Sequence, residues 1–198
     1  MPKQTASQTI GPYFAYGLTP EAYGRASIAG SMMVSEQTAG SRLRIEGRLF
    51  DASGQTVDDG LIEVWQANAA GRYSHADGRQ DVPLDPAFTG FGRCATDADG
   101  RFWFDTVKPG PVPGRGNTLQ APHINVIVMA RGMLAHAFTR FYFSDEADAN
   151  ANDPVLGSVD AARRSTLIAV RGDGLGAPVV YRLDIHLQGD GETVFFDP

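Results

Sequence analysis

The chain has 198 residues, with 17 Lys and Arg against 23 Asp and Glu, a formal net charge of −6 at pH 7. That length suits one domain with room for an appended arm, and it can bury a core without disulfides. No run of about 18 apolar residues is present, so no membrane partner is expected, and an acidic balance without a basic cluster excludes nucleic acid, whose affinity is carried by Lys and Arg on phosphates.

Residues 1–40 are rich in Gly, Ser, Thr and Ala, show little periodicity, and carry the scattered aromatics Tyr13, Phe14, Tyr16 and Tyr23. They read as an extended arm packed on a core or on a partner chain, since disordered segments are poor in aromatics. The opening MPKQTASQTIGPYF has no apolar stretch behind a basic one, so no signal peptide is expected. Cys94 is the single cysteine and can form neither an internal disulfide nor a multi-thiolate metal site. Together these point to a cytoplasmic protein.

From residue 42 the pattern is β. In RLRIEGRLF, the apolar Leu43, Ile45 and Leu49 alternate with Arg42, Arg44, Glu46 and Arg48, a period of two with one wet face. Asp51 to Gly54 reads as a turn. LIEVWQAN (61–68) is a second strand, ended by Asn68-Ala69-Ala70-Gly71. Asp97-Ala98-Asp99-Gly100 is a hairpin signal ahead of RFWFDTV (101–107). Pro109 to Gly114 is too rich in Pro and Gly for regular structure. HINVIVMA (123–130) is nearly all apolar and predicts a strand buried on both faces. AFTRFYF (137–143) and VVYRLDIHL (179–187) complete the strands, with short helices after Asp145 and near Ser158–Ile168. The expected fold is a mostly β, antiparallel β-sandwich with short helices, comprising an N-terminal arm (1–40) and a sandwich domain (41–198).

Motifs for nucleophilic hydrolysis, phosphate loops and dinucleotide binding are absent. His75, His123, His136 and His186 are the only histidines, and none forms a His-x-His or His-x-x-x-His pair.

Three segments nevertheless carry a resemblance. They are Leu61 to Asn68 with Gly71-Arg72-Tyr73, then Thr106-Val107-Lys108-Pro109-Gly110-Pro111, then Ala121-Pro122-His123-Ile124-Asn125. In order and spacing they resemble the intradiol ring-cleavage dioxygenases, and the similarity runs from Ser7-Gln8-Thr9-Ile10-Gly11-Pro12-Tyr13 to the C-terminus. Metal-bearing members of that family hold ferric iron with two tyrosinates and two histidines, a hard cation that lets a phenol of ordinary pKa near 10 ionise at neutral pH.

By that resemblance Tyr73 matches the first tyrosine and His123 the first histidine. Val112 stands where the second tyrosine belongs, Asn125 where the second histidine belongs, and Gln120 where an arginine near the substrate belongs. The resemblance therefore implies that this chain holds no iron of its own and contributes no catalytic residue. Tyr73, Val112, His123 and Asn125 are vestigial positions. In the family's heteromeric members an alpha chain with a decayed site packs beside an iron-bearing beta chain in a higher alpha–beta oligomer. The alpha arm and a strand-end arginine line the mouth of the beta site. Matched here, these are Thr9, Gly11, Pro12, Tyr13 and Arg131, and the implied cofactor is Fe(3+) held by the partner beta subunit, acting on a small aromatic substrate with O2. A guanidinium at Arg131 suits a substrate carboxylate.

Plainer roles stay open for each residue: packing for Tyr73 and His123, an arm anchor for Tyr13, an exposed strand-end charge for Arg131. Two other functions also stay open. One is a complete homomeric dioxygenase acting on catechol or hydroxyquinol, which Val112 and Asn125 oppose. The other is a non-catalytic β-sandwich binding module.

Overall fold

A computed structural model describes residues 15–76, 81–174 and 178–197. The period-two segments fold as expected. β1 spans Arg42–Phe50, with Leu43, Ile45 and Leu49 buried and the arginines between them turned outward. β2 is Leu61–Gln66, β3 Phe91–Ala95 and β4 Arg101–Val107. Val112–Pro113 and Leu119–Gln120 form the two-residue strands β5 and β6. β7 is His123–Met129 and β8 Ala137–Phe143. The short helices α2 (Ala147–Ala151) and α3 (Pro154–Ser158) follow, and a 3₁₀ turn at Arg164–Leu167 leads into β9 (Ile168–Arg171). β10 (Val179–Arg182) and β11 (Ile185–His186) end the chain. A one-turn helix, α1 (Ala15–Leu18), precedes all of these. Among the described residues no helix is long and apolar enough to cross a membrane.

Nine strands form one sheet in the order β11-β1-β10-β9-β8-β7-β2-β3, with β4 added on β1, and β5 and β6 pair apart from it. The pairing is mixed: β1 runs parallel to β10 and β11, and β8 parallel to β9, while the remaining ladders are antiparallel. Leu43, Ile45 and Leu49 of β1 and Phe102 and Phe104 of β4 meet Ile62, Val64, Ile124, Val126, Phe141 and Phe143 of β2, β7 and β8 in one core. A fully buried amide ties the two sides together. Gln66 of β2 accepts from the Thr106 hydroxyl at 2.8 Å and donates to the Val107 carbonyl at 3.0 Å. Such a group belongs in a core only when every polar atom is paired.

The expected antiparallel pairing gives way to a mixed one, because the long connections from β1 to β10 and from β8 to β9 let strands pair in parallel, and four further sequence expectations change. The Asp97–Gly100 turn forms, with the Asp97 carboxylate accepting from the backbone N–H groups of Asp99 and Arg101 at 2.9 Å each. It is not a hairpin turn, because β3 pairs with β2 and β4 with β1. Turn residues fix local geometry, while the buried faces choose the partners. The Pro109–Gly114 stretch is not wholly irregular, since Val112 pairs with Gln120 across β5 and β6. β7 is fully buried on one face only: Ile124, Val126 and Val128 enter the core, and Asn125 and Ile127 are half-buried. The last strand is interrupted at Leu183–Asp184. Its register with β1 is the same on both sides (Glu46↔Arg182, Leu49↔Ile185), and in the gap the Asp184 carboxylate accepts the Arg48 N–H at 2.8 Å.

Within the arm region, residues 30–38 cross their own sheet. Met33 donates its N–H to the Asp105 carbonyl at 2.9 Å and packs in the core, and the Thr38 hydroxyl donates to the Ala87 carbonyl at 2.8 Å. Earlier in the arm, Tyr16, Tyr23, Ile28 and Met32 are exposed.

A smaller cluster, Ala121, Tyr142, Leu156, Val159 and Leu167, closes the far face of β7 and β8 beneath α3. Asp153 organises it. Almost wholly buried, it accepts from the N–H groups of Ala121, Val155 and Leu156 and from the Tyr142 hydroxyl, at 2.7–3.1 Å. It thus caps α3 and fixes the residue two positions before His123. Replacing Asp153 by Ala removes the cap and orphans these donors at a cost of about 2–4 kcal/mol. Thermal melts should fall by roughly 5–15 °C, with Asp153→Asn losing less; an unchanged melting temperature would show that α3 is held by its apolar contacts alone.

Candidate functional site

The site is built on the face of β7 opposite the core. Residues two apart on a strand share a face, so His123 and Asn125 point together. The register sets Trp65 of β2 and Arg140 of β8 opposite Asn125, and Tyr142 of β8 opposite His123. All five side chains therefore leave the same side of the sheet.

Tyr73 reaches them from the loop after β2. The Asn68 side chain accepts from the N–H groups of Ala70 and Arg72 at 3.0 and 2.9 Å, and the Asn68 N–H donates to the Arg72 carbonyl at 2.8 Å. This tight turn needs Gly71, whose φ is +82° and where a Cβ would run into the Pro111 carbonyl. Gly110 donates to the Asn68 carbonyl at 3.0 Å. The loop bearing Tyr73 thus packs directly on the loop bearing Val112. The Tyr73 ring stacks on Trp65 with centroids 5.9 Å apart.

The hydrogen bonds assign every proton at the centre. The Nδ1–H of His123 donates to the Ala121 carbonyl at 2.8 Å, which leaves the Nε2 lone pair facing the Tyr73 hydroxyl at 3.3 Å. Tyr73 O–H is the donor in that pair. Its oxygen accepts from Asn125 Nδ2 at 2.9 Å, and the same Nδ2 lies 3.2 Å from the Trp65 carbonyl, which can only accept. Asn125 therefore directs its nitrogen at the phenol and leaves its buried Oδ1 without a hydrogen-bond partner. Burial raises the Tyr73 pKa, opposed by the Asn125 hydrogen bond and by the charge of Arg140. Burial, helped by Arg140, brings His123 down to about 4. Both groups are neutral at pH 7.

These residues do not fit ferric iron. Tyr73 and His123 could serve as ligands, and the carbonyl behind His123 is the support a ligating imidazole needs. Val112, however, is a buried hydrocarbon, and Asn125 turns towards the phenol an amide nitrogen, which has no lone pair to offer a metal. No chemistry through a metal follows from this arrangement.

Of the residues singled out in the sequence, the structure brings Tyr73, His123 and Asn125 together, and packs the Val112 loop against that of Tyr73. Arg131 is elsewhere. It follows β7 at the end remote from His123, with an exposed side chain whose Nε lies 2.8 Å from Asp59 and whose Nη2 lies 3.9 Å from Asp58. Thr9, Gly11, Pro12 and Tyr13 lie outside the described residues. Gln120, where the resemblance calls for arginine, accepts from Arg140 Nη1 at 2.6 Å. Arg140 was not identifiable in the sequence, because only the β7–β8 register reveals that it stands opposite Asn125.

The dioxygenase family model matches residues 10–189. The protocatechuate 3,4-dioxygenase alpha chain of Burkholderia cepacia is 50% identical over 98% of this chain and 98% of its own length. The beta chain of that enzyme, from the same organism, is 39% identical over 78% of this chain and 67% of its own. Among solved structures, the dioxygenase domain of a carbohydrate-binding fusion from Streptomyces sp. SirexAA-E superposes with a TM-score of 0.60. It covers 95% of this chain and 97% of that one at 22% identity, a likeness of fold.

His123 makes stability depend on pH. Its folded pKa, about 4, lies below the ordinary 6.5, so the unfolded chain binds the proton more readily and stability falls as pH drops from 6.5 towards 4. A shift of this size corresponds to about 3 kcal/mol. Urea unfolding across that window should show a shallower pH dependence for His123→Gln than for the natural chain. Parallel curves would mean that His123 does not stay neutral in the fold.

Proposed function

The chain belongs to the intradiol ring-cleavage dioxygenase family, and on that premise we propose that it is the alpha chain of a protocatechuate 3,4-dioxygenase, built to assemble with an iron-bearing beta chain. The observation that carries the reading is the half-retained centre: Tyr73 and His123 still touch, while Asn125 donates to the phenol and Val112 offers no ligand. Near-complete coverage of a curated alpha chain at 50% identity supports it. The Fe(3+) then belongs to the partner. The assembled enzyme opens the ring of protocatechuate with O2 between the two oxygen-bearing carbons, giving 3-carboxy-cis,cis-muconate in the beta-ketoadipate pathway of aromatic catabolism.

This chain's share is substrate recognition and assembly. Arg131 stands on an exposed strand end, held only by surface ion pairs, which contribute little and exchange readily. It is the residue we assign to the protocatechuate carboxylate, with Thr9, Gly11, Pro12 and Tyr13 of the arm beside it at the mouth of the beta site. The exposed apolar Tyr16, Tyr23, Ile28 and Met32 suit a buried contact with the partner within a higher alpha–beta oligomer. We read the sheet as a β-sandwich, with β3-β2-β7-β8 as one layer and β4-β1-β10 as the other, because the core lies between these groups. A cytoplasmic location completes the reading, since a chain with one cysteine gains nothing from an oxidising compartment.

Expressed alone, the chain should hold no stoichiometric iron and show no tyrosinate-to-iron absorption in the visible. A tightly bound iron in the isolated chain would overturn the assignment of the metal to the partner. In the assembled enzyme, Arg131→Ala should weaken use of protocatechuate by about 1.5–3 kcal/mol, the range for hydrogen bonds to charged groups. That corresponds to roughly ten- to a hundredfold in kcat/KM. A catechol without a carboxylate should be used as before, and the iron content should not change. Equal losses on both substrates would reassign Arg131 to the interface, and no loss on either would remove it from the substrate site.

A further inference from the structure

The decayed centre contains a cation of its own. Arg140 leaves the same face of β8 that His123 and Asn125 leave on β7, directly opposite Asn125. Its Nη1 donates to Gln120 Oε1 at 2.6 Å, and its charge acts on both the Tyr73 oxygen and the His123 ring. Its Nε is buried and has no hydrogen-bond partner. Among the described residues no carboxylate forms an ion pair with Arg140; Asp153, the carboxylate on this side, is engaged by Tyr142 and three backbone N–H groups. A half-buried guanidinium therefore stands without an ion-pair partner beside a phenol and an imidazole that are both neutral, with the charge of Asp153 reaching the His123 ring from the other side.

We propose that Arg140 supplies the positive charge of this centre in place of a metal, and that its guanidinium, as much as the missing ligands, keeps metal cations out. Repulsion between Arg140 and an entering ion scales with the ion's charge, so a trivalent ion is opposed three times as strongly as a monovalent one, and a half-buried site screens little of it. Refilling the ligand set at Val112 and Asn125 is then insufficient while position 140 keeps its charge. The inference deepens the reading of a chain without iron and concerns what enforces that state.

The test uses the full-length chain in matched forms: natural, Val112→Tyr/Asn125→His, and that double variant with Arg140→Gln, Arg140→Met or Arg140→Lys. Each is exposed to iron, desalted, and assayed for iron per chain and for the visible tyrosinate-to-iron band, with a thermal melt to confirm folding. The neutral triple variants should retain about tenfold more iron than the double variant, a difference of about 1.4 kcal/mol in binding. The lysine variant, which keeps the charge, should stay as empty as the double. A structural role for Arg140 would not separate glutamine from lysine in this way. Either neutral variant suffices if the other fails to fold. Equal iron in the double and the neutral triples, full or empty, overturns the proposal, as does a lysine form that loads like the glutamine form. Iron in the natural chain would instead sink the earlier reading, and it is read without any substitution.

Discussion

β7 carries the organisation of the molecule because its two faces do different work. Ile124, Val126 and Val128 are among the most buried side chains and join β1, β2, β4 and β8 in the main core. That packing fixes the strand in register and rotation, since a slip of one residue would expose the whole apolar set. His123 and Asn125 inherit a fixed direction from neighbours they never touch. Everything at the centre depends on this: Asp153 pins Ala121, the Ala121 carbonyl takes the His123 Nδ1 proton, and the remaining lone pair meets Tyr73.

What was legible in the sequence was whatever a short window determines. The bounds of β1 follow from alternation and those of β4 and β8 from short apolar runs, and Asn68 with Gly71 marks the turn that delivers Tyr73. His123 and Asn125 can be placed on one face because their spacing is two. Illegible features depend on pairing between distant segments. FGRCA (β3) shows no clean period, since Gly92 sits where a side chain would strike Met33 and Phe104, so the core position is filled from outside the strand. The break between β10 and β11 has a similar origin. A Cβ at Gly47 would meet the Leu183 carbonyl, so the two chains approach closely where the ladder is interrupted and Asp184 takes over a backbone N–H. Arg140 belongs in this class as well. AFTRFYF read alone makes it one charge among apolar neighbours, and only the register with β7 turns it towards Asn125.

Electrostatics at the centre follow from burial among neutral partners. A phenol that must ionise needs a cation with open coordination, whereas Tyr73 meets an amide nitrogen, an imidazole that can only accept, and a guanidinium that acts at a distance. Burial dominates, so the proton stays on the oxygen. The same balance keeps His123 neutral, and two neutral groups sharing one proton in a hydrogen bond need no counter-ion. The cost appears at the edges, where Asn125 Oδ1 and Arg140 Nε are buried without partners. Buried polar atoms are normally paired; these two stay unpaired because the backbone frame holds their side chains where they are.

That persistence has a structural cause. The backbone around Tyr73 and His123 is held by Gly71 against Pro111, by Asn68, and by Asp153, none of which would touch a bound ion. The frame is kept by its role in joining β2, β7 and α3. Arg131 is decoupled in the opposite sense. β7 separates it from His123 by roughly 20 Å of extended chain, and among the described residues its ion pairs are with the loop before β2. Changes at Val112 and Asn125 therefore reach Arg131 neither through contact nor through the core. A strand rigid enough to keep the centre in shape also lets its two ends differ: one end closes into a neutral hydrogen-bonded cluster, and the other keeps an exposed guanidinium available to whatever packs against it.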